Sequence, residues 1–445
     1  MLKRVFWVAL YTGTAQVLSL IAVNQVLRNL GETTSGYMGI VDSYILIMAT
    51  VVSFGIQLSV NRNVAITKGW KSNYQLAQSS RLAVGLILMI LGGISLIYKW
   101  EVSKLVLIFA PIVALNGDYT LYGKGQPIIA ARLSMIRVAL PNLAIIISSR
   151  WLGPLSIYFY IIFAGIGLLN SGFWAARVNH TPYFFSPRKS FYKFYSKYAK
   201  VGVFQLSYAF MITGILAFAK NFYPIVVIGL VYGILKYFEV FKGVLRIIVQ
   251  AFFRELKNEN TNLKIDKAGM LIGVGAIVPT IIYPHVTLNV LYDQTYQGKE
   301  NLLIVFGLAM LISSFKTSSD MRLLILKKDK VNLYTYLTAI IITFTIVALF
   351  SLTQWQIYGI GLGILVGESI LLIGLGYNIS GTKFFLERLV FAVKLMAIPA
   401  VSFALKLFLG ESLLLLSASL GLYALWVFVF YRKLLFDNTL IEQSK

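Results

Sequence analysis

The sequence predicts an all-α polytopic membrane protein with about fourteen transmembrane helices. Hydrophobic residues make up 58% of the 445 residues and charged residues only 13%, against about 25% charged residues in soluble domains. Apolar runs of about 18 or more residues, long enough to cross the hydrocarbon core, recur along the chain. Most Lys and Arg residues lie between these runs. A soluble protein of this length could not bury so much apolar surface, so we assign the runs to a bilayer.

The predicted spans follow one another closely. They cover residues 5–27, 37–60, 80–98, 102–122, 132–149, 154–176, 199–220, 222–250, 268–291, 301–325, 333–352, 356–377, 388–409 and 412–431. Lys3 and Arg4 precede the first run as in a signal peptide, but the run continues to Val26 without a clear small-residue cleavage site. We therefore interpret the first run as a retained helix.

Basic residues are distributed unequally between the two sides that these spans define. With a cytoplasmic N-terminus, 27 Lys and Arg residues lie on the inner side, 7 on the outer side and 6 within spans. An inner excess of this kind follows the positive-inside rule and predicts that both termini are cytoplasmic. Because topology explains most of the net charge of +23, we do not interpret that charge as a nucleic-acid surface.

Residue content and spacing exclude several kinds of chemistry. The sequence has no cysteine, and its two histidines, His180 and His285, lack the spacing of metal ligands. The segment Gly117–Lys124 has five residues between its glycines and is therefore not a P-loop. We predict no metal and no cofactor. The short loops leave no room for a sizeable soluble domain, which argues against an enzyme.

A long basic loop with two prolines, Pro182 and Pro187, divides the first twelve spans into two sets of six. The chain is therefore expected to have an N-terminal six-helix lobe, a cytoplasmic inter-lobe loop, a C-terminal six-helix lobe, and two additional helices with a cytoplasmic tail. The corresponding ranges are residues 1–176, 177–198, 199–382 and 383–445.

The two sets of six spans carry similar residues at similar positions. Arg62 ends span 2 and Arg254 ends span 8, while Asp118 and Asp320 lie late in spans 4 and 10. These matches at nearly constant separation predict a six-helix unit that occurs twice in the same orientation. Two such lobes about an axis along the membrane normal are typical of a carrier that rocks around a site near the midplane.

Span 8 carries charges inside an apolar run. On a helix, Lys236, Glu239, Lys242 and Arg246 fall within an arc of about 120°. Because an ionic group at membrane depth costs about 2.5–3.5 kcal/mol, this stripe must face a solvated cavity or a partner. The cations could instead be topology anchors that reach the inner interface. Lys236, near the middle of the run, is the least suited to that role.

The stretch that joins spans 1 and 2 resembles one family of transporters. It reads Asn-Leu-Gly-Glu-Thr-Thr-Ser-Gly-Tyr over residues 29–37, Ser-Phe-Gly-Ile-Gln over residues 53–57, and then Asn61-Arg62. With the basic loop and the two trailing helices, these residues resemble the Wzx-type O-antigen translocases. These are polysaccharide flippases of the multidrug/oligosaccharidyl-lipid/polysaccharide (MOP) exporter superfamily. The resemblance extends over nearly the whole chain.

This resemblance implies a fold and a substrate class. The fold is a V-shaped pair of six-helix lobes in which spans 1, 2, 7 and 8 line a central cationic cavity. The substrate is an undecaprenyl-pyrophosphate-linked oligosaccharide, moved from the cytoplasmic to the periplasmic leaflet of the bacterial inner membrane. A glycan polymerase and chain-length proteins are implied partners. In related lipid II flippases, two additional helices form a groove for the lipid tail, and the last two spans here could do the same.

A pyrophosphate headgroup requires positive counter-charge along its path, because its own charge is costly in hydrocarbon. We therefore predict that cations at successive depths bind the substrate. They are Lys236, Lys242 and Arg246 within span 8, Arg62 and Arg254 at the inner ends of spans 2 and 8, and Arg28 and Lys220 at the outer ends of spans 1 and 7.

Four carboxylates are candidates for ion coupling, namely Glu239, Asp118, Asp320 and Glu368. For Asp118 and Asp320, bracing of helix ends is an open alternative, and Glu368 could hydrogen-bond a neighbouring helix. Arg137 and Lys316, which also lie within spans, are expected to form interhelical ion pairs.

The predicted function is therefore the flipping of a lipid-linked oligosaccharide by alternating access. One alternative is an ion-coupled multidrug antiporter of the same superfamily, which would need an anionic cavity that the cations of span 8 disfavour. Another is a membrane-embedded polysaccharide polymerase or glycosyltransferase. Such enzymes usually carry a large periplasmic loop or paired carboxylates outside the membrane, and the outer loops of this chain are short.

Overall fold

A computed structural model describes residues 2–66, 70–251, 256 and 258–436, and all regular secondary structure within these ranges is helical. The long helices agree with the predicted fold class, which requires backbone groups at membrane depth to be bonded within each segment. The chain divides into two compact units, residues 1–236 and 237–445.

Within its described residues, the first unit contains ten α-helices and the beginning of an eleventh. They are α1 (Leu2–Ser53), α2 (Ile56–Ile66), α3 (Trp70–Tyr98), α4 (Ala110–Leu115), α5 (Thr120–Gly123), α6 (Pro127–Ser148), α7 (Ser156–Asn179), α8 (Phe191–Lys197), α9 (Ala199–Met211), α10 (Ile215–Ala219) and α11 (Ile225–Ala251). A 3₁₀ helix over Val102–Phe109 leads into α4. The division between the two units falls inside α11, directly after Lys236.

In its described part, the second unit contains the rest of α11 and nine further α-helices. These are α12 (Glu259–Ile277), α13 (Pro284–Tyr292), α14 (Glu300–Phe315), α15 (Ser319–Ile325), α16 (Asp329–Phe350), α17 (Gln356–Ser380), α18 (Thr382–Leu395), α19 (Ala397–Leu409) and α20 (Leu413–Phe436). A π-helical turn over Val278–Ile282 follows α12 directly and is separated from α13 by Tyr283.

Ten helical segments within the described ranges are long and apolar enough to cross a membrane, and the bent pair α18 and α19 makes an eleventh if it forms one span. The sequence predicts fourteen, and the two numbers differ in identifiable places. Helix α1 covers two predicted spans in one element, α9 and α10 divide the seventh, and α11 carries four charges. The protein is thus a multi-pass helical membrane protein, and the exact number of crossings remains a prediction.

Helix α1 changes direction at Gly31, which has a φ of 77° and a ψ of 178°. This is a backbone conformation that glycine adopts readily because it has no Cβ. The residues after Gly31 then approach α11 very closely. A Cβ on Gly229 would lie 1.9 Å from the carbonyl oxygen of Glu32. Glycines at both positions therefore allow the second half of α1 and the first half of α11 to pack backbone to backbone.

A buried guanidinium binds the end of a broken helix in the first unit. Helix α4 ends at Leu115, and the chain turns before α5 begins. Arg81 of α3, which is fully buried, donates to the carbonyl oxygens of Val113 at 2.9 Å and Asn116 at 2.8 Å. The Val113 carbonyl oxygen also accepts from the backbone N–H of Asn116 at 3.2 Å, so Arg81 adds charged donors at the helix C-terminus and binds α3 to it.

The second unit contains the same arrangement with a guanidinium from another helix. Helix α14 ends at Phe315, whose carbonyl oxygen accepts a hydrogen bond of 3.1 Å from Nε of Arg388. The same number of residues separates Val113 from Phe315 as separates Asp118 from Asp320. This spacing is the same as in the predicted repeat, which itself stays a prediction. Because Arg388 lies on α18, the first of the two trailing segments supplies a contact that the first unit makes with its own α3.

Arg388 is also bound to a buried carboxylate. Asp266 of α12 forms an ion pair with the Arg388 guanidinium and accepts hydrogen bonds of 2.8 Å from the backbone N–H and the hydroxyl of Ser318. Both charged side chains are almost completely buried. The ion pair therefore joins α12, α18 and the segment after α14 into one packed element of the second unit.

Candidate functional site

The strongest candidate site lies in the first unit, where Lys236 meets a carboxylate that the sequence analysis did not identify. Nζ of Lys236 lies 2.8 Å from Oδ2 of Asp42. The Tyr232 hydroxyl donates to the same oxygen at 2.6 Å, and the Tyr160 hydroxyl donates to Oδ1 at 2.5 Å. Three donors thus converge on one carboxylate. The side chains of Lys236 and Asp42 are each only 10% exposed.

Three helices position these groups. Asp42 lies on α1 after the Gly31 break, Tyr160 on α7, and Tyr232 and Lys236 one helical turn apart on α11, so the last two share a face. Gly39, nearly one turn before Asp42, leaves room for the Tyr232 ring, because a Cβ there would lie 2.7 Å from the ring. The site therefore depends on the close approach of α1 and α11.

The chemistry of this site is that of a compensated buried charge. A carboxylate or an ammonium alone in such surroundings would carry a large desolvation cost, and breaking a buried pair by removing one partner costs about 3–5 kcal/mol. Lys236 is therefore not an unoccupied counter-charge in this structure. Another anion that binds Lys236 would compete with Asp42 for the same ammonium group.

A second charged cluster lies in the second unit. Glu368 of α17 is fully buried and lies 3.1 Å from Nζ of Lys242 and 2.8 Å from Nζ of Lys316. The Ser313 hydroxyl donates to Glu368 at 2.8 Å and accepts from Lys242 at 2.5 Å. The ion pair predicted for Lys316 is thus present, and Glu368 binds neighbouring helices as one of its two predicted roles requires.

The other two charges of the predicted stripe on α11 have different surroundings. Arg246 is exposed and Glu239 is partly buried, and both interact with other groups. The four charges therefore do not form one uniform row. Lys236 belongs to the Asp42 site of the first unit, and Lys242 belongs to the Glu368 cluster of the second.

The predicted residues at the outer ends of spans 1 and 7 are also separated. Arg28 is exposed, whereas Nζ of Lys220 lies 2.5 Å from Oε1 of Glu101 and 2.9 Å from the Tyr44 hydroxyl. Burial favours the neutral form of Glu101, but the hydrogen bond and charge of Lys220 outweigh it and hold the pKa of Glu101 below its ordinary value. Lys220 is therefore paired with a carboxylate in this structure, and its assignment to substrate binding stays a prediction.

The predicted residues at the inner ends of spans 2 and 8 are largely outside the described structure. The backbone of Arg62 lies in α2 and its side chain is not described, while Arg254 lies outside the described residues. Their assignment to substrate binding stays a prediction.

Asp118 and Asp320 stand at helix breaks of the two units. Asp118 lies 2.9 Å from Nη1 of Arg137, which confirms the ion pair predicted for Arg137. Its backbone N–H donates to the side chain of Asn116 at 3.0 Å. Asp320 accepts from the backbone N–H of Met321 at 2.8 Å, in the first turn of α15. These contacts support helix-end bracing, and a coupling role for either residue stays a prediction.

The sequence did contain a signal for Asp42. It is the only acidic residue in the predicted span over residues 37–60, and an isolated carboxylate at membrane depth marks a functional site by default. Tyr160 and Tyr232 carried no comparable signal, because tyrosines are frequent in this chain and most are expected at the membrane interfaces. Within the described ranges, no group of three or more His, Asp or Glu side chains could hold a metal ion.

Comparison with solved structures identifies the fold. An inward-facing multidrug resistance MATE family transporter of the MOP superfamily aligns with 16% identity, covering 85% of this chain and 95% of that chain, with a TM-score of 0.62. The lipid II flippase MurJ, in an inward closed conformation, aligns with 13% identity over 96% of this chain and 99% of that chain, with a TM-score of 0.71. A MATE protein in complex with MaL6 aligns with 15% identity over 88% and 96%, with a TM-score of 0.51.

No family model and no curated protein matches the sequence. The likeness to solved structures is nevertheless nearly complete in length, and at these identities it establishes the fold. The chain is a multi-pass membrane protein with the fold of MOP-superfamily transporters and flippases. The proteins that share this fold are transporters rather than enzymes.

Proposed function

We propose that this chain is a flippase for an undecaprenyl-pyrophosphate-linked oligosaccharide of the O-antigen type. It would move this lipid from the cytoplasmic to the periplasmic leaflet of a bacterial inner membrane by alternating access, with fourteen crossings and both termini cytoplasmic. The observation that carries the proposal is the ion pair of Asp42 with Lys236, a buried cation within the predicted span over residues 222–250. MurJ, whose fold this chain shares, is a lipid II flippase.

The Asp42 site suggests how an acidic headgroup is accepted without leaving a buried charge unpaired. An arriving phosphate replaces Asp42 as the partner of Lys236. Asp42 keeps the hydrogen bonds from Tyr160 and Tyr232, or it takes up a proton. When Asp42 takes up a proton, Lys236 exchanges one anion for another and no buried carboxylate stays charged, so the cost of about 3–5 kcal/mol for breaking a buried pair is avoided. Asp42 thereby joins Glu239, Asp118, Asp320 and Glu368 as a coupling candidate.

The other cations act before and after this exchange. We assign Arg62, Arg254 and Arg246 to acceptance of the headgroup at the inner side, and Lys242 to a similar exchange with Glu368. Arg28 and Lys220 act in release at the outer side, where Lys220 must first separate from Glu101. A glycan polymerase and chain-length proteins would then use the product.

The proposal is tested by surface glycan display in cells that depend on this chain. Replacement of Lys236 or Arg246 by alanine should abolish display while the protein remains in the membrane. Lys394→Ala is the matched control, because Lys394 is an exposed cation on α18 with no assigned role in transport. Normal display in both test variants would contradict the proposal.

An ion-coupled multidrug antiporter is a second candidate, and one observation favours it. Asp42 and the hydroxyls of Tyr160 and Tyr232 would form a cation-accepting site if Lys236 moved away. The two functions then require different residues. An antiporter needs Asp42 and tolerates the loss of Lys236, whereas the flippase needs Lys236. Efflux of a cationic dye by Lys236→Ala and Asp42→Asn variants separates them, since retained efflux only in Lys236→Ala would support the antiporter.

A further inference from the structure

The segment that joins α7 to α9 is unusually rich in cations. Residues 177–200 contain six Lys and Arg residues and no Asp or Glu. The positive-inside rule accounts for the sign of this charge but not for its arrangement. The structure places three of these cations, Lys189, Lys193 and Lys197, on the exposed side of an ordered segment whose other side packs against the rest of the first unit.

The inner face of this segment is fixed by specific contacts. The Tyr195 hydroxyl donates to the carbonyl oxygen of Val52 at 2.5 Å, and the Tyr195 ring stacks on Phe54 with 6.0 Å between ring centroids. The backbone N–H of Arg188 donates to the carbonyl oxygen of Ser79 at 3.1 Å. Four aromatic side chains of the segment pack on the apolar cluster around Tyr74. They are Tyr195 itself, Phe185, Phe194 and Tyr198.

The outer face combines cations with exposed aromatic rings. On α8, Tyr192, Lys193 and Lys197 are exposed, whereas Phe194 and Tyr195 on the opposite face are partly buried. Lys189 and Phe184, just before α8, are exposed as well, with Phe184 at 76%. We call this surface the α8 patch and define it by Phe184, Lys189, Tyr192, Lys193 and Lys197. Within the described ranges, none of its three lysines forms an ion pair with a carboxylate.

The position of the α8 patch indicates what it contacts. The membrane-spanning segment Gly153–Asn179 ends immediately before it. Near that end, the Arg177 guanidinium lies 5.3 Å from the exposed Trp174 ring, a combination of aromatic and basic residues that is typical of the membrane–water interface. In a bilayer crossed by the candidate span Gly153–Asn179, the patch would lie at the level of the lipid headgroups.

We propose that the α8 patch binds the anionic phospholipid headgroups of the leaflet that it borders. Lysines spaced along the segment from Lys189 to Lys197 match an array of separate phosphates, while Tyr192 and Phe184 can enter the region between headgroups and acyl chains. Each cation near an anionic membrane surface strengthens the association by about fivefold. Because the other face of the segment is bound to the first unit, lipid binding would fix the end of α7 and the start of α9 at the interface.

The test uses the full chain in detergent and measures retention of phosphatidylglycerol against phosphatidylcholine. We expect the intact protein to prefer phosphatidylglycerol by at least about tenfold. The variant Lys189→Gln/Lys193→Gln/Lys197→Gln should lose this preference without a change in thermal unfolding. The matched control is Lys327→Gln/Lys328→Gln/Lys330→Gln, which removes the same charge from an exposed segment that also contains Asp329; this variant should retain the preference.

Several outcomes would overturn the proposal. They are an absence of headgroup preference in the intact protein, an equal loss of preference in the control variant, and a preference that survives in the test variant. Addition of inorganic pyrophosphate distinguishes a lipid site from a site for free phosphate. If pyrophosphate binds the patch and phosphatidylglycerol does not displace it, the patch is a phosphate site and the lipid proposal is wrong.

Discussion

Nζ of Lys236 lies 2.8 Å from Oδ2 of Asp42, and the Tyr232 hydroxyl lies 2.6 Å from the same oxygen. Lys236 lies near the middle of its predicted span and is poorly placed to reach a membrane interface. It pairs with Asp42, the only acidic residue in the predicted span over residues 37–60. This relationship changes the role that a membrane-embedded cation can have. In the proposed mechanism, Lys236 is one half of an exchange pair, and its availability to a substrate depends on Asp42.

The first prediction concerns the stability of this pair. Replacement of Lys236 by methionine leaves Asp42 without its cation and should lower the free energy of unfolding by about 3 kcal/mol. The double variant Lys236→Met/Asp42→Asn removes both charges and should recover most of that loss. Thermal unfolding of the purified proteins measures both effects. Equal stability of the two variants would show that the charge of Asp42 is not stabilised by Lys236.

The second prediction concerns the Glu368 cluster. Glu368→Gln leaves Lys242 and Lys316 facing each other in a buried site, so the loss of unfolding free energy should reach about 3 kcal/mol or more. The matched control is Glu387→Gln, because Glu387 forms a 3.8 Å pair with Lys383 on an exposed helix surface. Its effect should stay within about 0.5 kcal/mol. Similar effects of the two substitutions in a thermal-unfolding assay would argue against a structural role for the cluster.

The third prediction concerns the trailing helix. Arg388→Ala removes the partner of Asp266 and of the Phe315 carbonyl oxygen, and the second unit should lose about 3–5 kcal/mol of stability. Lys394→Ala on the same helix should have little effect, since Lys394 is exposed. Limited proteolysis should detect earlier cleavage within residues 237–436 in Arg388→Ala. Unchanged proteolysis would mean that α18 is not integral to the second unit.

The fourth prediction concerns pH. The pKa of Glu101 is held below its ordinary value of 4.5 by Lys220, so this pair stabilises the folded state at pH values above the pKa of the unfolded chain. The contribution should disappear as the pH falls through the lower, folded-state pKa. Comparison of thermal unfolding between the intact protein and Glu101→Gln over the acidic range measures it. A difference that grows towards low pH would have the wrong sign.

The positions of the charged sites along the chain could be predicted from sequence, because a charged residue is easily recognised within an apolar predicted span. The charges of α11 interrupt an apolar run, and their segment is one continuous helix in the structure. The partner of Lys236 could not be predicted in the same way, because Asp42 lies 194 residues away in the sequence. Hydropathy reports which residues need a partner but not which distant residue supplies one.

The helical breaks illustrate the same limit. The boundaries near Gly31 follow from glycine and polar residues in the sequence, and the predicted spans on either side correspond to the two halves of α1. The contact of Arg388 with the end of α14 could not be predicted from the sequence. Arg388 lies on α18, which follows the predicted six-helix lobe, so the predicted repeat does not indicate this contact. A charged residue near a span end looks like a topology anchor in sequence, and only tertiary packing distinguishes an anchor from a buried cap.

The central claim is that Lys236 accompanies an acidic headgroup through the membrane and that Asp42 is its exchange partner. The most direct measurement is translocation of a fluorescent undecaprenyl-pyrophosphate-linked oligosaccharide by the purified chain in proteoliposomes. We expect transport by the intact protein and by Lys394→Ala, and a decrease of about 10- to 100-fold in Lys236→Ala, the effect of losing one charge-assisted bond to phosphate. Undiminished transport by Lys236→Ala would contradict the account.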